Sequence, residues 1–314
     1  MSGPPTVSSE SGSRPGVLRT KLAAPGLRPG LLPRTALLDQ LDAVVVPGRL
    51  SLMVAGAGWG KSTLLAQWHQ RDSRPECFAW FCVDTDDNDP RRFWAHVLAA
   101  VAPLGEGLTA LSTQLLMTPG TNIVDDVAPA LINELTTVGV PATLVVDDYH
   151  LISNTEIHAA MAVLAAHVPR TLRLVISGRS QPPLPLTRLR GSGRLVDINV
   201  EELRLSADET RELIKRELPG RLTSEEIALL HERTEGWVTG LHLAVLSLRR
   251  HPDPERLIRE FAGTDRNIGD YLLTEVLEQQ PPDVRSFLRA TSILKRFSAP
   301  LANAVTARAD SVDL

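Results

Sequence analysis

Short apolar runs alternate with helical patterns along the chain up to about Val200. Four of these runs predict buried strands: Leu50 to Val54, Phe78 to Val83, Thr143 to Val146 and Leu172 to Ile176. The segments between them repeat apolar residues at helical spacing, and Asp89 followed by Pro90 marks the start of one such helix. Nearly all-apolar strands that are separated by helices predict a parallel sheet covered on both faces.

Helical patterns replace the strand signals after about Val200. Two pairs have the Ser/Thr-x-x-Glu spacing of a capping box: Ser206 with Glu209, and Thr223 with Glu226. Three further helices are predicted: Trp237 to Leu248, Ile268 to Glu278, and Val284 to Ala290. In the first of them, Trp237 and Leu241 are predicted core residues. We therefore expect a helical lobe and then the beginning of another unit.

Composition and charge mainly exclude functions. The 314 residues are 43% hydrophobic and 22% charged, with a net charge of −4. This suits a globular protein and gives no strong positive field for direct binding of DNA by this chain alone. Met1 to Gly16 lacks the apolar run of a signal peptide, and no window reaches about 18 consecutive apolar residues. We expect a cytoplasmic protein without membrane contact, beginning with a disordered tail.

A glycine-rich loop follows the first predicted strand. Residues 55–62 have the Walker A form, with Ala55 in place of the usual first glycine. In such a loop, backbone N–H groups turn toward phosphates, here those of Ala57, Gly58, Trp59 and Gly60. Lys61 is predicted to bridge the β- and γ-phosphates and Ser62 to ligate Mg²⁺, with Thr63 beside it. The predicted ligand is ATP with Mg²⁺; an ordinary glycine-rich turn with a surface lysine is the alternative.

Paired carboxylates end the strand that begins at Thr143. The apolar run leads directly into Asp147 and Asp148, which is the form of a Walker B strand. Asp147 is predicted to hold Mg²⁺ through its water shell, and Asp148 to polarise the attacking water as a general base. Without the upstream loop, this pattern would fit a solvated strand end equally well.

Two further observations refine the prediction. Arg179 follows the strand that begins at Leu172, so it should reach the same sheet edge and read the γ-phosphate; a surface arginine is the alternative. The stretch between Lys61 and Asp147 has room for an additional strand. This favours an additional-strand P-loop NTPase over a small-molecule kinase.

The acidic run from Asp84 to Asp89 lacks the glycine and glutamate of a calcium loop, and we interpret it as a solvated loop before a helix.

Read together, the motifs resemble the maltose-regulator-like branch of the STAND ATPases, large ATP-binding transcriptional regulators that end in a LuxR-type DNA-binding domain. The resemblance covers almost the whole chain. Its marks are Lys21-Leu22 with Leu32 to Arg34, Ala57 to Leu65 with Gln67-Trp68, Trp80 with Asp86 to Pro90, Val146 to Ile152, Ser177 to Arg179 with Pro182-Pro183, Glu202 to Arg204, Thr234 to Leu241, and Tyr271 to Leu294.

The resemblance implies a nucleotide switch, in which ADP holds an inactive monomer while ATP and an unknown small-molecule or protein inducer permit self-association. Hydrolysis would reset the switch. It also implies that Arg34 lies beside the adenine. The expected domains are a disordered tail (1–20), a P-loop NTPase domain (21–204), a helical lid domain (205–264) and a partial winged-helix domain (265–314).

The family continues into a helical-repeat sensor and a DNA-reading domain, so we expect either a fragment or a truncated relative. The predicted function is that of a slow Mg²⁺-dependent ATPase, the switch module of a signal-responsive transcriptional regulator. Two alternatives stay open: a nucleotide-binding interaction module without turnover, and a P-loop kinase. Asp148 and Arg179 favour turnover, and the sequence has no signature of a kinase acceptor site.

Overall fold

Five parallel strands form the sheet of the N-terminal part of the chain, in the order β2-β3-β4-β1-β5. The computed structural model describes residues 16–72, 74–250, 258, 277–278, 280–294 and 298–310. The strands are β1 (Leu50–Val54), β2 (Phe78–Cys82), β3 (Ala142–Asp147), β4 (Leu172–Gly178) and β5 (Leu195–Ile198). The four predicted strands are confirmed. The sequence did not predict β5, a short edge strand whose first three residues are only partly buried or exposed.

One helix precedes β1, and the others connect or follow the strands. In the part of the chain that the structure describes, the helices are α1 (Thr35–Val44), α2 (Lys61–Arg71), α3 (Pro90–Val101), α4 (Ala110–Met117), α5 (Ala128–Leu135), α6 (Thr155–Ala166), α7 (Leu186–Gly191), α8 (Val200–Leu203), α9 (Ala207–Glu217), α10 (Ser224–Thr234), α11 (Val238–Arg250), α12 (Pro282–Thr291) and α13 (Ala299–Thr306). A π-helical turn at Ile123–Val127 leads into α5. Asp89 caps α3 and Pro90 is its first residue, as predicted.

The alternation of side chains along the strands produces two hydrophobic layers. In β1, Leu50 and Leu52 belong to the cluster that contains α3, α5 and α6, whereas Met53 belongs to the cluster of α1 and α2. Successive strand residues point to opposite faces, so a strand that is apolar throughout can be buried on both. The predicted parallel α/β sheet covered on both faces is thus confirmed, with β4 between β1 and β3.

The chain divides into two compact units, Met1–Arg204 and Leu205–Leu314. Two capping boxes in the second unit are confirmed, because the side chains of Ser206 and Thr223 accept from the backbone N–H groups of the predicted partners. Leu241 is fully buried as predicted, but Trp237 is only partly buried.

Several sequence predictions fall at or beyond the limits of the described residues. Most of the helix predicted at Ile268 to Glu278 lies outside them, as do residues 1–15 of the predicted tail. A short 3-10 helix, Arg19–Leu22, overlaps the last two residues of the predicted tail, and Lys21 within it is buried. The division into lid and winged-helix domains stays a prediction. Among the helices that the structure describes, none has the length and apolar character needed to cross a membrane.

Candidate phosphate-binding site

The glycine-rich loop connects β1 to α2 at the carboxyl edge of the sheet. Gly58 and Gly60 have φ angles of +75° and +82°, in the left-handed region that glycine adopts without a steric penalty. Gly60 is the N-cap residue of α2 and no side chain caps this helix. The helix therefore presents uncapped N–H groups and the positive end of its dipole at the loop, which is the arrangement that binds phosphate.

Lys61 is buried inside this loop. Its Nζ donates hydrogen bonds to the carbonyl oxygens of Ala55 at 2.7 Å and Gly56 at 3.0 Å. Burial lowers the pKa of Lys61, the carboxylates of Asp148 and Asp147 oppose that shift, and the charge of Arg179 adds to it. The cation therefore sits among groups of both signs and would gain from an anionic partner.

Asp147, the last residue of β3, is 1% exposed. Its Oδ1 accepts hydrogen bonds from the Ser177 hydroxyl and from the backbone N–H of Asp148, the latter at 3.1 Å. Burial raises the pKa of Asp147 and the charge of Asp148 adds to this, while hydrogen bonds from Ser177 and Ser62 lower it. Ser62 and Asp147, predicted separately as metal ligands, thus lie within hydrogen-bond reach.

This donor set fits Mg²⁺. A hydroxyl and a carboxylate are hard oxygen ligands, and Mg²⁺ usually takes one or two carboxylates and completes its shell with phosphate and water. In the described part of the chain, no group of three or more His, Cys, Asp or Glu side chains could hold a metal ion. The pair formed by Ser62 and Asp147 would therefore need a bound phosphate to hold the ion.

Asp148 stands at the start of the turn after β3, with φ of +58°. This conformation is unfavourable for a residue with a Cβ atom, and non-glycine residues held in it cluster at functional sites. Its side chain is 35% exposed, and its Oδ1 lies 3.8 Å from Nδ1 of His150. The carboxylate is therefore accessible, unlike that of Asp147.

His150 is a residue that the sequence analysis did not single out. Burial lowers its pKa to about 4, and the charges of Arg179 and Lys61 contribute to this shift. The imidazole is therefore neutral near pH 7. The only signal in the sequence was its place two residues after the paired carboxylates.

Arg179 directly follows β4. A Cβ atom built on Gly178 would lie 3.4 Å from the backbone nitrogen of His150, so the end of β4 closely approaches the turn after β3. Arg179 affects the pKa values of both Lys61 and His150. The structure thus brings the predicted sensor arginine to the same sheet edge as the phosphate loop.

Three residues that were predicted to contact the nucleotide contact other parts of the protein or solvent in the structure. The Arg34 guanidinium donates to the carbonyl of Leu203 and, at 2.8 Å, to that of Arg204, both at the end of α8. Trp59 packs against the α1 and α2 layer, and Thr63 is partly exposed in the first turn of α2. Their contacts with a nucleotide stay predictions.

The glycine loop, the strand order and the Asp147–Ser62 pair define the class: an α/β protein of the P-loop type. Comparison with known proteins identifies similar proteins within this class. Over 279 residues the chain is 32% identical to the HTH-type transcriptional regulator MalT of Serratia proteamaculans (strain 568), covering 87% of this chain and 30% of that protein. The MalT of Yersinia enterocolitica is 31% identical over 287 residues, covering 91% and 31%.

The C-terminal residues 273–314 match the MalT winged helix domain. Together these matches confirm the resemblance to maltose-regulator-like proteins, and the chain spans about three tenths of the length of the curated relatives that it matches. Among solved structures, AMPPCP-bound DnaA from Aquifex aeolicus is 13% identical, covering 91% of this chain and 87% of that one, with a TM-score of 0.40. A likeness at that level carries no conclusion about function.

Proposed function

We propose that this chain is the ATP-binding and ATP-hydrolysing switch module of a signal-responsive transcriptional regulator. One observation carries the proposal: Lys61 is buried in the glycine loop while the next residue, Ser62, lies close enough to the Asp147 carboxylate, at the end of a different strand, to lower its pKa. A phosphate cradle and a site for Mg²⁺ are thereby joined. An ordinary glycine-rich turn would have no reason to bury its lysine.

Nucleotide binding would use the loop and the start of α2. Phosphate oxygens would accept from the backbone N–H groups of residues 57–63 and replace the carbonyls of Ala55 and Gly56 as partners of Lys61. Mg²⁺, held by Ser62 and Asp147, would neutralise part of the phosphate charge. A phosphate ligand would offset the desolvation of Lys61, because it supplies the anion that the buried ammonium group favours.

Hydrolysis would use the turn after β3. Asp148 is accessible and can orient a water molecule and accept its proton, whereas Asp147 is buried and accepts a hydrogen bond from the Ser177 hydroxyl. The neutral His150 can hydrogen-bond to the Asp148 carboxylate and keep it oriented, and the Arg179 guanidinium would stabilise charge on the γ-phosphate. Turnover separates this proposal from a module that only binds nucleotide.

The role in regulation follows from the relatives, which are transcriptional regulators. In such a protein the second unit would act as a lid, and exchange of ADP for ATP would, with an inducer, permit self-association. The chain covers only part of those relatives, so recognition of the inducer and of DNA would belong to the remainder of such a protein.

The test is ATP binding and phosphate release by the purified chain, with and without Mg²⁺. Lys61→Ala should abolish Mg²⁺-dependent binding, whereas Lys215→Ala, the same change at an exposed lysine of α9, should not. Asp148→Asn should keep binding and lower turnover by about 10²- to 10⁴-fold, the range for a lost general base. Unchanged binding in Lys61→Ala would overturn the site assignment. Tight binding without turnover would replace the switch by the binding-only module.

A further inference from the structure

Asn88 connects the loop after β2 to the loop after β3. Its Nδ2 donates to the carbonyl oxygens of Thr85 at 3.1 Å and Leu151 at 2.8 Å. Its Oδ1 accepts from the backbone N–H groups of Ser153 at 2.7 Å and Asn154 at 3.2 Å, and from the Ser153 hydroxyl at 3.2 Å. One carboxamide therefore uses both of its amide hydrogens and fills its oxygen's acceptor capacity.

The segment that Asn88 holds is the continuation of the turn that carries Asp148 and His150. The N–H of Leu151 donates to the carbonyl of Asp148 at 3.1 Å, which closes the turn, and the carbonyl of Leu151 is the group that Asn88 binds. Asp148 is held in the left-handed conformation that its Cβ atom disfavours. Aspartate adopts this conformation more readily than most non-glycine residues, but the free energy still favours other conformations unless neighbouring contacts select it.

The loop that carries Asn88 is itself fixed from its other side. Asp87 is fully buried, and its Oδ2 accepts from Nζ of Lys21 at 2.7 Å and from the backbone N–H of Asp84 at 2.9 Å. The N–H of Val83 also donates to the carbonyl of Asp147 at 2.9 Å. Asn88 is thus part of an anchored loop, and the 151–154 segment is the part that it restrains.

We infer that Asn88 is a positioning residue for hydrolysis: it fixes the turn after β3 so that Asp148 is oriented toward the γ-phosphate. The inference rests on the proposed function. Asn88 acts through Asp148, so it should affect turnover and leave nucleotide binding, which the glycine loop provides, nearly unchanged. Aspartate has the same shape as asparagine, but it cannot donate to the carbonyls of Thr85 and Leu151 and would face them with a negative charge.

The experiment compares Asn88→Asp and Asn88→Ala with Asn122→Ala. Asn122 is a matched control, because its side chain also accepts from two backbone N–H groups at the start of a helical turn, and it lies elsewhere in the same unit. Both Asn88 variants should bind ATP within about threefold of wild type and lose about ten- to a hundredfold in kcat, as expected for a misplaced catalytic group. Amide hydrogen exchange should rise at Ser153 and Asn154. Asn122→Ala should keep its kcat.

A double variant separates positioning from general loosening. In an Asp148→Asn background, adding Asn88→Asp should lower kcat no further, because the group on which Asn88 acts has been removed. An additional full loss there, equal losses of ATP affinity and kcat, or wild-type kcat in both Asn88 variants would overturn the inference while leaving the proposed ATPase intact. A wild-type chain without turnover would overturn both.

Discussion

Two buried serines on paired strands offer a test of the electrostatics of the site. Ser51 in β1 and Ser177 in β4 are both completely buried. The hydroxyl of Ser177 donates to Asp147, whereas the hydroxyl of Ser51 has no hydrogen-bond partner among the described residues. The same change, serine to alanine, should therefore have opposite consequences at the two positions.

The expected magnitudes follow from what each hydroxyl does. Ser177→Ala removes a hydrogen bond to a carboxylate, which typically stabilises by about 1.5–3 kcal/mol. For a domain of this size that corresponds to a fall in Tm of roughly 3–12 °C. Ser51→Ala removes an unsatisfied buried hydroxyl and should be neutral or stabilising by up to about 1 kcal/mol.

The pH dependence gives a second, independent result. Asp147 already has a pKa above its ordinary value of 3.8 through burial, and the Ser177 hydrogen bond limits that rise. A carboxyl group with a raised folded pKa stabilises most below pH 3.8, and this contribution is lost as the pH rises through the folded pKa. Ser177→Ala should therefore destabilise more at neutral than at acidic pH, and it should move the acidic limb of Mg²⁺-dependent turnover to higher pH.

Thermal melts at several pH values and phosphate release as a function of Mg²⁺ measure both effects. Ser177→Ala should also need several-fold more Mg²⁺ for half-maximal turnover, because its Asp147 is less readily ionised. If the two serine variants lost equal stability, or if the pH profile of Ser177→Ala were that of wild type, the assignment of Asp147 as a metal ligand tuned by Ser177 would be refuted.

Three other substitutions test separate parts of the structure. A Cβ atom on Gly236 would lie 2.3 Å from the carbonyl oxygen of Leu205 at a φ of +73°, so Gly236→Ala should cost at least about 2 kcal/mol in thermal melts; Gly220→Ala, equally left-handed at +69° but in open space, should cost less. His150, with a pKa of about 4, should give kcat no inflection near pH 6.5, and an inflection there that disappears in His150→Asn would contradict this. Lys21→Ala removes the Nζ that lies 2.7 Å from the fully buried carboxylate of Asp87 and leaves Arg92, at 3.5 Å, as its remaining cation among the described residues; it should destabilise by about 1.5–3 kcal/mol in denaturant titrations.

The elements that the sequence predicted are those with local signals. Strand β1, the glycine loop and α2 form one continuous segment. The apolar run predicts the strand, and the glycines followed by Lys61 predict the loop and the start of the helix. The strand ending in Asp147 was equally visible, because a fully buried parallel strand is apolar throughout. In contrast, β5 is short and partly exposed, so its four residues have no distinctive pattern.

The features that the sequence could not predict depend on residues far apart in the chain. The interpretation of the acidic run as a solvated loop was wrong for Asp87, whose buried carboxylate is paired with Lys21, 66 positions away, as well as with the nearby Arg92. The environment of His150 is likewise set by Lys61 and Arg179, which other strands bring to it. The spacing of apolar residues predicts which of them are buried, but it does not predict which charged side chains will form pairs.

The contact of Arg34 with the carbonyls of Leu203 and Arg204 joins positions 169 and 170 residues apart. It joins the segment before β1 to the last residues of the first unit. The early and the late parts of that unit are therefore in direct contact. Chains emerge from the ribosome N-terminus first, and contacts over such sequence distances form late in folding. A nascent chain stalled before residue 204 should therefore contain β1 and its loop but lack the contact between Arg34 and the end of α8. It should become resistant to protease only once α8 has left the ribosome.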